Sequence, residues 1–123
     1  MGDKLILSKE ERKDCLVVKM EGEFVFDEVP KFENFVTTHK GKNNNIAIDL
    51  KKVVFLDSSG MGSLVKMLNY MKQKSGGFYL INVSNDILKI FEIADLITFF
   101  KVLSESEFKS LFRANLDDIM KKL

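Results

Sequence analysis

The feature that most constrains the fold is a strand–helix–strand pattern between residues 46 and 83. Residues 46–50 (IAIDL) form a short apolar run bounded by turn residues, which is typical of a strand buried on both faces. Residues 58–73 carry apolar side chains at the spacing of one helix face, and residues 78–83 (FYLINV) favour a second strand. Strands joined by a helix usually lie parallel, with a right-handed crossover. We therefore predict that 46–50 and 78–83 are adjacent parallel strands.

The flanking segments add further strands and helices of the same kind. Residues 5–8 and 15–20 predict an antiparallel pair of strands, which Gly22 would end, and residues 99–103 predict a last strand. Two more helices begin near Pro30 and Ser84, because proline suits a first helical turn and serine caps one.

A final helix is predicted over residues 105–123, because Ser104 and Glu107 have the spacing of a capping box. The alternation of strands and helices predicts an α/β fold. We expect a mixed sheet, with the first strand pair antiparallel and the later strands parallel, and about four α-helices mainly on one side. A single domain should cover residues 1–123, with its core over about 5–107. The final helix packs either on this domain or on a second copy in a homodimer.

The composition excludes several classes of function. With 19 basic and 18 acidic residues the net charge is +1, so the chain lacks the basic excess of a nucleic-acid-binding protein. One cysteine, Cys15, and one histidine, His39, are too few for a metal-ligand cluster. We expect Cys15 to be buried in a strand and His39 to face solvent at a helix end. No apolar run approaches ~18 residues or resembles a signal peptide, so we expect a cytoplasmic protein without membrane insertion.

Catalysis is not indicated either. Ser58 and Ser59 follow Leu56 and Asp57 and do not fit the Gly-x-Ser-x-Gly pattern of a hydrolase. The sequence also lacks the glycine-rich loops that bind nucleotide phosphates. We therefore expect neither an enzyme nor a cofactor.

Residues 57–62 (DSSGMG) mark the start of the central helix. Short polar side chains are favoured there because they accept hydrogen bonds from free backbone N–H groups. Gly60 and Gly62 each weaken a helix by about 1 kcal/mol relative to alanine. They keep the helix start bare for another molecule, or Gly62 allows close packing against the sheet. A serine hydroxyl here is accessible to phosphorylation, and the N–H groups and helix dipole favour a phosphate.

This segment resembles the central signature of the STAS family, the anti-sigma factor antagonists of bacteria. The similar positions are Asp49-Leu50, Val53, Phe55, residues 57–62, Gly76-Gly77, the strand 78–83 and the helix 87–96. The resemblance, over about residues 5–107, implies that Ser58 is the phosphoacceptor. It implies an anti-sigma factor partner that is also the serine kinase, and a separate serine phosphatase. Unphosphorylated, such a protein binds the anti-sigma factor and releases the sigma factor.

The resemblance also implies a partner-binding surface around the phosphoacceptor. Its expected residues are Glu23, Phe24, Val25, Asp57, Ser58, Ser59, Gly60 and Met61. The family commonly has an aspartate where this chain has Val25, so either Glu23 or Asp27 supplies the carboxylate or the contact is apolar. In the second case Phe24, Val25 and Phe26 form an exposed contact patch. The alternative is that they fold inward as core.

Two other functions stay open within this family. The first is a STAS subunit of a membrane transporter assembly of the lipid-transport ABC type, which would co-purify with an ATPase subunit. The second is a nucleotide-binding STAS regulatory module, which the lack of a phosphate-binding loop in the sequence disfavours. Equilibrium dialysis with ATP and GTP would test it.

Overall fold

The computed structural model describes residues 4–112, which contain five strands in one sheet and four α-helices. The strands are β1 (Leu5–Arg12), β2 (Cys15–Phe24), β3 (Asn45–Leu56), β4 (Gly77–Ile81) and β5 (Lys101–Leu103). The helices are α1 (Val29–His39), α2 (Ser58–Gln73), α3 (Asn85–Ile93) and α4 (Glu105–Leu111). Short 3₁₀ turns precede α1 at Phe26–Glu28 and β5 at Ile97–Phe99.

The strands lie in the sheet in the order in which they occur along the chain. β1 pairs antiparallel with β2, and every later neighbour pair is parallel. β3 and β4 are adjacent and parallel, and α2 connects them. The predicted α/β fold, with its mixed sheet and central crossover, is therefore confirmed.

Helices cover both faces of the sheet, but unequally. Side chains alternate along β2, so that Leu16 and Val18 join the core cluster under α1, α2 and α3. Cys15 and Val17 point to the opposite face, where they form a smaller cluster with Phe108 of α4. Three of the four helices within residues 4–112 thus share one face, in agreement with the prediction.

Several strands are longer than the sequence predicts. The prediction that β2 ends at Gly22 is wrong, because the strand passes through this glycine. Its φ is +106°, and a Cβ there would lie 2.2 Å from the carbonyl oxygen of Lys4. The register between β2 and β3 shifts directly after Gly22. The strand therefore continues through Phe24, in a stretch predicted to be a loop.

β3 also continues beyond its predicted end at Leu50. Lys51 and Lys52 belong to the strand with exposed side chains, and Lys52 is paired with Glu21 of β2. The strand ends only at Leu56, directly before α2. This extension of six residues carries the chain to the start of α2 as strand rather than as loop.

The C-terminal prediction is tested only in part. The Ser104–Glu107 capping box is confirmed, since both of its reciprocal hydrogen bonds are present. In the described residues the helix runs over Glu105–Leu111, and Phe112 has extended backbone. The rest of the predicted helix falls on residues 113–123, which lie outside the described residues.

Candidate functional site

Asp57 joins the end of β3 to the start of α2 and to the segment after β2. Its backbone is extended, and its Oδ1 accepts a hydrogen bond from the N–H of Gly60 at 2.9 Å, which makes it the N-cap of α2. Its Oδ2 accepts a second bond from the N–H of Phe26 at 3.1 Å. Its own N–H donates to the carbonyl oxygen of Phe24 at 3.3 Å. One side chain therefore fixes both the helix start and the chain beside it.

Ser58 is the first residue of α2, and its side chain is exposed. Ser59 and Met61 are half-buried in the same turn. The first N–H groups of an α-helix have no partner inside the helix, and the helix dipole is positive at this end. The hydroxyl of Ser58 is thus exposed at a helix end that favours negative charge, next to the carboxylate of Asp57.

Two residues expected on the partner surface are part of the core packing instead. Phe24 is fully buried, and its ring meets that of Phe32 edge-on with centroids 4.8 Å apart. Gly60 is buried beneath it: an added Cβ would lie 2.2 Å from the carbonyl oxygen of Phe24. The prediction that Phe24 and Gly60 face a partner is therefore wrong. Gly60 is needed because α2 packs closely on the end of β2.

Gly62 has the opposite surroundings. A Cβ added there meets no atom within 4 Å, so packing in residues 4–112 does not require this glycine. Of the roles considered from the sequence, the bare surface therefore fits Gly62 and not Gly60, and close packing against the sheet fits Gly60 and not Gly62. Gly60 allows contact with the sheet, and Gly62 leaves the surface of α2 bare.

The segment after β2 is divided between core and surface. Val25 is half-buried, whereas the side chain of Phe26 is 71% exposed. Glu23 and Asp27 are both exposed. The expected patch of three apolar residues is thus reduced to Phe26 and part of Val25, and two carboxylates flank it.

A hydrogen-bonded cluster that the sequence did not predict joins α1 to α2. Glu33 accepts bonds from the buried hydroxyl of Ser63 at 2.8 Å and from the ammonium of Lys66 at 2.9 Å. Burial raises the pKa of the Glu33 carboxyl, but the bonds from Lys66 and Ser63 and the Lys66 charge outweigh it, so that the pKa lies below its usual 4.5. The contact joins residues 30 and 33 positions apart, so no local pattern indicates it.

Cys15 and His39, the one cysteine and the one histidine of the sequence, both pack against other residues. Cys15 is fully buried in β2, as predicted, and burial raises the pKa of its thiol to about 12. His39 is the last residue of α1 and is half-buried, with its ring 4.5 Å from that of Phe35. The predicted solvent-facing position of His39 is therefore only partly correct.

The described residues contain no group of three or more His, Cys, Asp and Glu side chains that could hold a metal ion. Over the same residues, 4–112, no helix has the length and apolar character needed to cross a membrane.

The profile of the STAS domain matches residues 7–118. The chain belongs to the STAS domain family. The anti-sigma-B factor antagonist of Staphylococcus aureus is 32% identical over 80 residues, which are 64% of this chain and 74% of that protein. This STAS chain is thus similar to a named antagonist over most of that antagonist's length.

The fold of this STAS domain also occurs in proteins other than anti-sigma factor antagonists. The unphosphorylated anti-sigma factor antagonist SpoIIAA superposes with a TM-score of 0.70 at 20% identity, over 96% of this chain and 98% of that one. A sulfate transporter family protein from Wolinella succinogenes superposes with a TM-score of 0.64 at 15% identity, over 72% and 75%. At these identities the likeness concerns the fold alone, so the choice of function depends on the residues of the site.

Proposed function

We propose that this protein is an anti-sigma factor antagonist controlled by phosphorylation of Ser58. In its unphosphorylated form it binds an anti-sigma factor that is also a serine kinase, and thereby frees the sigma factor. Transfer of phosphate from the kinase's ATP to the Ser58 hydroxyl ends this binding, and a separate serine phosphatase restores it. The chain itself is the substrate of these enzymes and has no catalytic role.

The observation that carries the proposal is the exposure of Ser58 beside a fully engaged Asp57. Because both carboxylate oxygens of Asp57 accept backbone bonds, this residue holds the turn in place and is a poor general base for the serine. Asp57 therefore does not activate Ser58 as a nucleophile, and the exposed hydroxyl has the accessibility of a phosphoacceptor. The similarity to named anti-sigma-B factor antagonists supports the same conclusion.

The partner surface that we propose is a corrected version of the one expected from the resemblance. It keeps Glu23, Val25, Asp57, Ser58, Ser59 and Met61, and it loses Phe24 and Gly60 to the core. Phosphate on Ser58 brings a hydrated group of about −1.5 to −2 charges into this surface. A charged group left poorly paired in an interface costs several kcal/mol, which weakens binding at least about a hundredfold. The fold should tolerate the charge, because the helix start favours it.

The experiment uses purified anti-sigma factor kinases of the source organism. Incubation of each with ATP and the chain should add one phosphate, and peptide mass mapping should place it on Ser58. Ser58→Ala should abolish the modification, whereas Ser59→Ala should retain a substantial fraction. Phosphate found on Ser59, Ser84 or Ser104 instead would contradict the assignment.

Binding is measured by calorimetric titration of the same kinases with wild type and Ser58→Asp. The variant should bind about a hundredfold more weakly and melt within a few degrees of wild type. Equal affinity would refute the switch, and a large loss of stability would mean that the charge acts by unfolding the domain. Tight binding of ATP or GTP to the chain alone, or co-purification with a transporter ATPase, would favour one of the alternative STAS functions.

A further inference from the structure

A groove of about 490 Å³ lies between α1 and α2 beside the phosphoacceptor turn. Phe26, Val29 and Pro30 form its apolar wall, and Ser59 and Gly62 line it from α2. Since Ser59 directly follows Ser58, the groove continues the proposed partner surface. Phe26 and Asp27, which the sequence offered as possible partner contacts, line it together with Ser59.

Three polar groups that line the groove, those of Glu33, Ser63 and Lys66, are engaged with one another. The carboxylate of Glu33, which also lines it, accepts bonds from the Ser63 hydroxyl at 2.8 Å and the Lys66 ammonium at 2.9 Å. A polar ligand would have to compete with these bonds, whereas an apolar group would leave them in place. The interior of the groove therefore favours an apolar occupant.

Gly62 keeps the α2 side of the groove open. Glycine is unfavourable inside a helix, yet a Cβ here would meet no atom within 4 Å. The 71% exposed ring of Phe26 stands at the other wall. An open glycine opposite an exposed aromatic ring forms a slot that a side chain of another molecule can enter.

The rim of the groove has acidic character. Asp27 is exposed there, and Lys66 is paired with Glu33, so the carboxylate of Asp27 is left to set the sign of the local charge. A partner segment with a basic residue next to its apolar side chain would match the apolar groove and its acidic rim.

We propose that this groove receives an apolar side chain of the anti-sigma factor, flanked in that protein by a lysine or arginine that pairs with Asp27. This inference rests on the proposed function and adds to it a second contact, separate from Ser58. The occupant is a protein side chain of leucine, methionine or phenylalanine size, rather than a small molecule or a second copy of this chain.

The test fills the groove without disturbing the fold. Gly62→Leu places a side chain in the slot, Gly62→Ala fills it only in part, and Asn69→Leu is the control, which adds the larger side chain two turns further along the exposed surface of α2. Each is titrated calorimetrically with the kinase that binds wild type. Gly62→Leu should weaken binding about tenfold or more, Gly62→Ala should weaken it less, and Asn69→Leu should stay within about threefold of wild type. Thermal melts should show Gly62→Leu at least as stable as wild type.

The proposed pairing of Asp27 with a basic residue of the partner is tested separately. Asp27→Lys should weaken binding about fivefold or more at low salt, and the difference should shrink as salt is added. Glu92→Lys, an exposed charge reversal on α3, is its control and should bind as wild type does.

The outcomes separate the groove from the proposed function. If Ser58→Asp loses binding while Gly62→Leu and Asp27→Lys bind as wild type does, the groove proposal is wrong and the proposed function stands. If wild type binds none of the kinases, the proposed function fails and the groove proposal fails with it. If Gly62→Leu converts a dimeric wild type into a monomer in sedimentation velocity, the groove holds a second copy, and our assignment of its occupant is overturned.

Discussion

Alanine at Gly60 and alanine at Gly62 should change the stability of this domain in opposite directions. The two positions are two residues apart on α2 and have the same chemistry, so helix propensity favours alanine by about 1 kcal/mol at both. The surroundings differ. A Cβ at Gly62 meets open space, whereas a Cβ at Gly60 would lie 2.2 Å from the carbonyl oxygen of Phe24 and 3.2 Å from its ring.

The magnitude follows from how far α2 would have to move. To bring the Cβ contact at Gly60 to an ordinary distance, the helix start and β2 must separate by about 1 Å, and overpacking of this kind costs about 1–3 kcal/mol. The same movement stretches the bonds that Asp57 makes to Phe26 and Phe24, now 3.1 and 3.3 Å long. Each is worth about 1 kcal/mol. After the gain in propensity, Gly60→Ala should lose about 2–3 kcal/mol, and Gly62→Ala should gain up to about 1 kcal/mol.

Urea unfolding followed by far-ultraviolet circular dichroism measures both variants. The free energies of unfolding of the two alanine variants should differ by about 3 kcal/mol, which corresponds to roughly 10 °C in melting temperature for a domain of this size. Gly60→Ala should also be phosphorylated more slowly, because Ser58 moves with the helix start. Equal stability of the two variants would refute the argument, since it would mean that α2 can shift on β2 at no cost.

Three further results are expected. Asp57→Ala should lose about 2 kcal/mol in urea unfolding, because the helix cap and the bond to Phe26 both disappear, whereas Asp57→Asn should lose less; equal losses would show that an acceptor oxygen is not what matters. The thiol of Cys15, with a pKa of about 12, should react with a disulfide reagent near pH 8 only after denaturation, and rapid reaction of the native protein would contradict its burial. Glu33→Gln should lose about 1 kcal/mol or less near neutral pH. Because folding lowers the pKa of Glu33, the stability difference between wild type and Glu33→Gln should be fully present above the ordinary pKa of a glutamate. It should vanish as the pH falls through the lowered pKa of the folded protein. A stability difference independent of pH would exclude the charge of Glu33 as its source.

The antiparallel first strand pair and the parallel neighbours β3 and β4 could be predicted, because each pairing depends on a local pattern. The apolar run at residues 46–50, the helix at 58–73 and the strand that follows define a crossover unit whose geometry has few alternatives. Strand ends were less predictable, since they depend on neighbours distant in sequence. The continuation of β2 past Gly22 is stabilised by a bond from the N–H of Glu23 to the carbonyl oxygen of Lys4, and neither of these two residues carries a sequence signal for it.

At the site, too, features that depend on neighbouring residues could be predicted, and contacts between distant segments could not. Asp57 as the N-cap and the exposure of Ser58 follow from residue types at a helix start, which act over three or four positions. The burial of Phe24 does not, because an aromatic residue beside Val25 and Phe26 is equally consistent with core or surface until the path of β2 is known. The Glu33–Ser63–Lys66 cluster is set by the packing of α1 on α2, and it carried no sequence signal.

At the start of α2, some residues hold the fold and others face outward, which suggests how phosphorylation can switch binding without unfolding the domain. Gly60 holds the helix against β2 by close packing. Asp57 holds it through the hydrogen bonds that its two carboxylate oxygens accept from backbone N–H groups. Ser58 and Gly62 face outward, and nothing in residues 4–112 packs on a Cβ at Gly62. A phosphate added on the outward side therefore meets a helix start whose position is already fixed from the inward side. Its effect on binding should exceed its effect on stability, because the contacts that hold the fold and those offered to a partner lie on different residues of one turn.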